Sequence, residues 1–361
     1  MASVTYKCPN CGAYVAFRPD KQKWSCDFCS ADFTEQDLLP KAEAYAEEAE
    51  RKFVQAAGSQ EAAEPEFAAG EQVAYHCASC GSEIITDATT VATHCYYCHN
   101  PVVLQGKLTA DMKPDQVLPF TIGKGAAVQQ FMDWIRKKRF VPKGFFSQEE
   151  VNSMTGVYYP HFITECEMDA ALEGEGKKIT TTTTARYIVT KTDHYSFRRR
   201  ADIHFSNVMR SALKSVDRKL SDGIHPFPLD EVKPFSSAYL SGFLAERRDI
   251  DAAELEEDIR GELTGYAKPM LAEGLPYQSY TGNATGCVTR QSTRYALLPA
   301  WVLTYQNRKS KDNQPYYYVM NGSTGKVCGK LPIDSGKLYR YGLLVAGALF
   351  AVLCALAYWL L

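Results

Sequence analysis

The sequence lacks a surplus of charge of either sign, and this weakens any case for a nucleic acid partner. Its 361 residues include 40 lysines and arginines and 42 acidic residues, which gives a formal net charge of -2. Binding to phosphates needs several basic residues on one face. Neither of the two cysteine-containing segments has an excess of basic residues large enough for such a patch. Residues 1–34 hold four basic and three acidic residues, and residues 73–107 hold one basic and two acidic residues. We therefore expect protein partners.

The sequence also lacks the motifs that mark common catalytic sites. The patterns G-x-x-x-x-G-K-[ST], G-x-S-x-G and H-E-x-x-H are absent. Cys166 lies between Glu165 and Glu167 in a strand-like run, close to His161. Alternation along a strand would place both glutamates on one face and the cysteine on the other, as in an ordinary half-buried strand. We predict that the chain is not an enzyme.

Cysteine, in contrast, is abundant and regularly spaced. The chain has 12 cysteines, and eight of them form four C-x-x-C pairs. The series Cys8-x2-Cys11-x14-Cys26-x2-Cys29 recurs 69 residues later as Cys77-x2-Cys80-x14-Cys95-x2-Cys98. Gly12 and Gly81 follow the second cysteine of each copy. Identical spacing at all four positions predicts one structural unit that is used twice.

Four thiolates at this spacing suit a tetrahedral Zn²⁺ ion. The first residues form no apolar signal segment, so we expect a reducing compartment, where such pairs bind metal and do not form disulfides. Four cysteine ligands leave no open position, which predicts two structural zinc sites; rubredoxin-like iron is the alternative. The predicted ligands are Cys8, Cys11, Cys26, Cys29, Cys77, Cys80, Cys95 and Cys98.

Other cysteines and aromatic residues of this part of the chain have simpler expected roles. The single cysteines Cys166, Cys287, Cys328 and Cys354 are expected to be buried thiols. Trp24 and either Tyr96 or Tyr97 are expected to pack over the metal sites, because so small a unit has little other core.

Composition divides the chain into five segments of an α+β protein. The region after the second ribbon mixes strand patterns at 157–167, 180–191 and 195–205 with helical patterns at 125–140, 207–219 and 251–272. The residues from Asn321 to Gly325 are typical of a hairpin turn, so we predict antiparallel strands there. The segments are a zinc ribbon at 1–34, an acidic helix and linker at 35–71, a second ribbon at 72–107, an antiparallel α+β domain at 108–335 and a transmembrane segment at 341–361.

The last 21 residues, from Tyr341 to Leu361, contain no charged residue. As a helix they would span about 30 Å, the thickness of the hydrocarbon core of a bilayer. Tyr358 and Trp359 lie near the far end, where aromatic residues meet the membrane surface. Three basic residues precede this segment: Lys330, Lys337 and Arg340. Basic residues next to a transmembrane segment stay on its cytoplasmic side. We predict a single-pass C-terminal anchor in the cell membrane, with the bulk of the chain cytoplasmic.

Several motifs together resemble a known group of proteins. They are the Lys7–Gly12 and Cys95–Cys98 motifs, Leu118-Pro119-Phe120, Leu298-Pro299-Ala300-Trp301 and the run from Tyr317 to Val327. The chain resembles bacterial tail-anchored proteins described as TFIIB-type zinc-ribbon proteins, which are similar to proteins encoded beside phage-shock protein A and a flotillin-like (SPFH) protein. The resemblance implies a membrane scaffold that recruits such partners under envelope stress.

Two functional hypotheses follow from the sequence. The first is a zinc-ribbon adaptor, or scaffold, that faces the cytoplasm and brings protein partners to the membrane. The alternative is a nucleic-acid-binding zinc-ribbon protein linked to replication or transcription. The alternative requires a basic surface made by folding, for instance from Lys137, Lys138 and Arg139 with Arg198, Arg199 and Arg200.

Overall fold

The computed structural model describes most of the chain and has the predicted α+β class. The described residues are 5–41, 44, 72–77, 80, 82–87, 89–95, 97–104, 112–142, 151, 153–184, 186–306 and 315–360. They form a three-stranded sheet, a two-stranded sheet, a ten-stranded sheet and several helices, one of which is apolar and lies at the C-terminal end. Most of the predicted acidic helix and linker lies outside the described residues.

The strands of the two cysteine-containing segments are short. We call residues 5–34 the first four-cysteine unit and residues 72–104 the second four-cysteine unit. The first contains β1 (Ala16–Arg18), β2 (Lys23–Ser25) and β3 (Asp32–Phe33). The second contains β4 (Gln72–His76), β5 (Glu83–Asp87), β6 (Thr90–His94) and β7 (Pro101–Val103).

The remaining residues form the body of the protein. Its strands are β8 (Gln116–Val117), β9 (Thr155–Thr183), β10 (Ile188–Ser211), β11 (Lys233–Pro234), β12 (Leu244–Glu246), β13 (Ser279–Gln306), β14 (Pro315–Asn321) and β15 (Val327–Gly329). Its α-helices are Lys124–Arg136, Arg218–Gly223, Ala252–Ala272 and Ser335–Leu360, and two 3-10 helices lie at Leu229–Glu231 and Ser237–Leu240.

The ten-stranded sheet joins the body to the second four-cysteine unit. Its main order is β11-β8-β13-β9-β12-β6-β7, with β10 paired to β9, and with β14 between β13 and β15. Strands β6 and β7 of the second four-cysteine unit therefore belong to the same sheet as the body, through the pairing of Ala92 with Ala245. The hairpin between β14 and β15 is confirmed, and Asn321 Oδ1 accepts hydrogen bonds from the N–H groups of Ser323 and Thr324 at 2.9 Å each.

Three strands, β9, β10 and β13, are much longer than the sequence patterns predicted. The prediction of separate strands at 180–191 and 195–205 is wrong, because the first of these ranges crosses the turn between β9 and β10. That turn contains no glycine or proline and is closed by Thr184, whose N–H donates to the Tyr187 carbonyl at 2.8 Å. The helix predicted at 207–219 is also wrong. There β10 continues to Ser211, and only Arg218–Gly223 is helical.

One face of this long sheet is covered by the Ala252–Ala272 helix, which confirms the helix predicted at 251–272. Asp251 and Glu254 form a capping box at its start. The buried helix residues Ile259, Leu263, Ala267 and Leu271 follow a spacing of four and pack on Cys166, Met168, Ala170 and Leu172 of β9. We call this assembly the arm: residues 166–205 of β9 and β10, residues 279–291 of β13 and the Ala252–Ala272 helix.

The first four-cysteine unit packs into the core of the body. Trp24 is completely buried, its ring centroid lies 5.0 Å from that of Tyr239, and its Nε1 donates to the Ala238 carbonyl at 2.9 Å. The Ser241 hydroxyl donates to the Val15 carbonyl at 2.6 Å. These contacts join the first four-cysteine unit to the 3-10 helix Ser237–Leu240 of the body and to the residue that follows it. Trp24 belongs to the same core cluster as Cys8 and Cys26, and the sequence did not predict its contact with the body.

Replacing Trp24 with alanine should destabilise both the first four-cysteine unit and the body. Truncation of a fully buried tryptophan removes a large apolar surface and leaves a cavity, so we expect a loss of about 3–5 kcal/mol. Phe28→Ala in the same unit is the matched control, because Phe28 is 82% exposed and its removal should change stability by less than about 0.5 kcal/mol. Thermal unfolding of the metal-loaded, detergent-solubilised protein measures both. Equal melting temperatures for the two variants would contradict this packing.

Candidate metal centres

The structure brings the eight predicted ligands together in two groups of four. In each group the Sγ atoms all lie within 4.8 Å of one another. The distances between Sγ atoms are 3.5 Å for Cys8–Cys29 and Cys11–Cys26, 3.8 Å for Cys77–Cys98 and 3.7 Å for Cys80–Cys95. A tetrahedron with metal–sulfur bonds of about 2.3 Å has edges of about 3.8 Å. Each group can therefore hold a metal ion.

Tight turns orient the thiols of each pair. The N–H of the residue after the second cysteine donates to the carbonyl of the first cysteine, at 2.9 Å for Gly12 to Cys8, Ser30 to Cys26 and His99 to Cys95. All three residues after the second cysteine have positive φ, at 76°, 56° and 57°. The sequence indicated this conformation only where it has glycine. Ser30 and His99 gave no such signal, because positive φ is uncommon for residues other than glycine, although histidine adopts it more often than most.

The thiols within one group differ in acidity. Hydrogen bonds from the Ser82 side chain and backbone lower the pKa of Cys80 to about 6. Burial raises the pKa of Cys98, and the neighbouring sulfurs raise it further, to about 12. In the first group, burial opposes the change but backbone hydrogen bonds from Asn10 and Cys11 lower the pKa of Cys8 to about 7. Each group thus contains one thiol of lowered pKa, Cys8 or Cys80, which can bind a metal ion as a thiolate near neutral pH.

Each four-cysteine unit presents an exposed aromatic side chain at the same place in its second C-x-x-C pair. Phe28 lies between Cys26 and Cys29, and Tyr97 lies between Cys95 and Cys98, 69 residues further on. The prediction named Tyr96 or Tyr97 as a cover for the metal site, and Tyr97, which is 70% exposed, does not have this role. Tyr96 lies outside the described residues. The two units thus offer equivalent aromatic side chains to solvent.

The single cysteines fall into two classes. Cys166 is buried on the arm and Cys328 is partly buried, in line with inert thiols. Cys287 is exposed, so the expectation of burial is wrong for it, and Cys354 lies on the apolar C-terminal helix. The alternation predicted around Cys166 is confirmed, because Glu165 lies on the opposite face and pairs with Arg294 at 2.8 Å.

The three arginines named as an example for the nucleic acid alternative make ion pairs or hydrogen bonds within the protein. Arg198 pairs with Glu173 at 2.7 Å, and Arg200 pairs with Asp169 at 2.5 Å. Arg199 lies on the other face, where it donates to the carbonyls of Leu271 and Glu273 at the end of the Ala252–Ala272 helix. Arg198 and Arg200 therefore share one exposed face of β10, with 66% and 61% of their side chains exposed, while Arg199 lies on the other face.

The apolar C-terminal segment forms one continuous helix, Ser335–Leu360. Its stretch from Ser335 to Trp359 is long and apolar enough to cross a membrane. Every described side chain from Leu338 to Trp359 is exposed, so the body does not bury this helix. At its base, Phe140 packs edge-on against Tyr341, and Lys337 donates to the Val141 carbonyl at 2.5 Å.

Comparison with known proteins gives a relative but no function. No family model and no solved structure matches the chain. The chain is similar to the uncharacterized protein YdjG of Bacillus subtilis (strain 168), with 29% identity over 352 residues. The match covers 97% of this chain and 96% of that protein. The suggested relation to TFIIB-type and phage-shock-associated proteins stays a prediction.

We expect two metal ions per chain, one in each four-cysteine group. Changing both Cys77 and Cys80 to serine should lower the metal content from two equivalents to one, because two serine hydroxyls cannot replace thiolates in a tetrahedral site. Cys287→Ser is the matched control and should keep two equivalents, since this cysteine is exposed and lies outside both groups. Elemental analysis of the purified protein measures the content and identifies the metal. Two equivalents in the double variant would show that the second group is not a site.

Proposed function

We propose that the protein is a zinc-binding membrane adaptor without catalytic activity. The C-terminal helix holds the chain in the membrane, and the two four-cysteine units and the body lie in the cytoplasm, where they bind protein partners. The observation that carries this proposal is the C-terminal helix, whose apolar side chains are all exposed although the body has an extensive core. Burial in a bilayer would remove this apolar surface from water.

The chemistry of the four-cysteine groups supports a structural metal. Thiolates favour zinc among the metals that take tetrahedral sulfur sites, and iron is the alternative. A fourth cysteine occupies the position that a catalytic zinc would leave for water or substrate. The metal would therefore fix the shape of each unit and would not take part in a reaction.

The exposed aromatic residues indicate where partners would bind. Phe28 and Tyr97 sit on turns that the metal would make rigid, and aromatic side chains on rigid elements are frequent hot spots of protein interfaces. The three arginines lie on two faces of the arm, and the two exposed ones pair with acidic residues, which supports protein partners over nucleic acid. By resemblance, the partners would be proteins related to phage-shock protein A or to the flotillin-like (SPFH) proteins. Lys337 and Arg340, which lie in the first turns of the helix before its uncharged part, support a cytoplasmic body.

Crosslinking in native membranes tests this function. Full-length protein should recover membrane-stress or scaffold proteins, and the double variant Phe28→Ala/Tyr97→Ala should recover at least about tenfold less, as expected for loss of a hot spot. Tyr266→Ala is the matched control, because Tyr266 is an exposed aromatic residue on the arm, away from the four-cysteine units. Metal content of the double variant should stay at two equivalents.

Other results would contradict the adaptor hypothesis in distinct ways. If replication or transcription proteins are recovered, and nuclease treatment abolishes their recovery, the nucleic acid alternative is favoured. Equal recovery by the double variant and the wild type would exclude the two aromatic residues as contacts. Full extraction of the protein from membranes by alkaline carbonate would exclude an integral anchor.

A further inference from the structure

The arm ends in a hairpin whose exposed side chains include several large apolar ones. We call residues 177–192 the tip. Tyr187 and Ile188 are 70% and 72% exposed, and Val189 and Ile179 are exposed as well. Single exposed apolar residues are ordinary, but four of them at one end of a sheet indicate a contact surface.

The charge of the tip has one sign. It contains the basic residues Lys177, Lys178, Arg186 and Lys191 and no acidic residue. Lys191 pairs with the following Asp193 at 3.0 Å. For Lys177, Lys178 and Arg186, no ion pair occurs among the residues that the structure describes, and all three are exposed. A surface with this charge complements a partner of uniformly negative charge.

The shape of the tip is fixed by hydrogen bonds. The hydroxyl of Thr184 accepts from the Tyr187 N–H at 3.1 Å and donates to the Tyr187 carbonyl at 2.9 Å. Ile188 and Val189 are paired with Thr183 and Thr182 across the hairpin. The apolar side chains are therefore presented without the entropy cost of ordering a loop.

The tip lies far from the base of the C-terminal helix. It is reached along β9, whose 29 residues from Thr155 to Thr183 span about 90 Å at about 3.3 Å per residue. Strands β14 and β15, which lead to the C-terminal helix, pair beside the opposite end of β9, where Val302 is opposite Thr155. The tip can thus reach a surface other than the one in which the C-terminal helix is held.

We propose that the tip binds the surface of an anionic lipid bilayer. Lys177, Lys178 and Arg186 would contact lipid phosphates, Tyr187 would lie at headgroup depth, and Ile188 and Val189 would enter the edge of the hydrocarbon layer. Nucleic acid has the same sign of charge, but aliphatic side chains gain nothing by stacking on bases. The combination of exposed cations with aliphatic side chains at one rigid tip favours lipid. This inference is independent of zinc and of any protein partner.

In the test, the C-terminal helix is held in a nanodisc, so that only the rest of the protein can bind added liposomes. Full-length protein is placed in phosphatidylcholine nanodiscs and mixed with liposomes of phosphatidylcholine alone or with about 30% phosphatidylglycerol, at ~0.1 M salt where surface charges still act. Flotation of the liposomes measures bound nanodiscs. We expect at least about tenfold more binding to the anionic liposomes, from three cations near the surface.

Two tip variants separate the charged from the apolar contribution. Lys177→Gln/Lys178→Gln/Arg186→Gln should remove the preference for anionic lipid. Tyr187→Ser/Ile188→Ser/Val189→Ser should lower binding at least about fivefold at every salt concentration, because these side chains supply the apolar contact. Tyr266→Ser/Met270→Ser, which removes two exposed apolar side chains from the arm helix, is the matched control and should bind as the wild type does.

Circular dichroism and metal content confirm that each variant is folded. Equal binding to neutral and anionic liposomes by the wild type would overturn the proposal, as would wild-type binding by the serine variant. Association of nanodiscs with one another through the tip, with no binding to liposomes, would also overturn it and would assign the tip to a protein contact.

Discussion

Trp24 of the first four-cysteine unit is completely buried, and its indole ring lies against Phe17 of its own unit and Tyr239 of the body. The residue is held between β1 and β3, in strands that are only two or three residues long. Strands of this length are not stable alone, so their position depends on the four thiols at the ends of the unit. A metal ion bound by these thiols would therefore also stabilise the body, because the first four-cysteine unit packs into its core.

The second four-cysteine unit is attached by a different interaction. Its β6 pairs with β12 of the body, so backbone hydrogen bonds connect the Cys95–Cys98 turn to the ten-stranded sheet. Both sites are therefore fixed to one framework, while Phe28 and Tyr97 stay exposed. An adaptor needs this combination, because a rigid aromatic side chain loses little entropy when it is bound. The two proposed lipid contacts, at the tip of the arm and at the C-terminal helix, belong to this same framework.

The sequence predicted the features that depend on local chemistry. The cysteine spacing predicted both thiol groups, the uncharged final segment predicted the apolar helix, and the helical pattern at 251–272 predicted the arm helix. The sequence did not predict contacts between residues that lie far apart along the chain. No local signal shows that Trp24 contacts a residue more than 200 positions away, or that β9 continues through Thr180–Thr183 to a turn without glycine. The exposed aromatic pair could have been found, since Phe28 and Tyr97 occupy equivalent positions of the repeat.

Hydrogen exchange of the full-length protein, with metal bound and after removal by a chelator, tests most directly whether metal coordination supports the body. We predict that metal removal lowers protection in β1–β3 and also in the Ser237–Leu240 helix, which contacts Trp24, while β9 and the Ala252–Ala272 helix of the arm stay protected. Loss of protection confined to residues 5–34, with Ser237–Leu240 unchanged, would contradict it and would show that the first four-cysteine unit is an independent module.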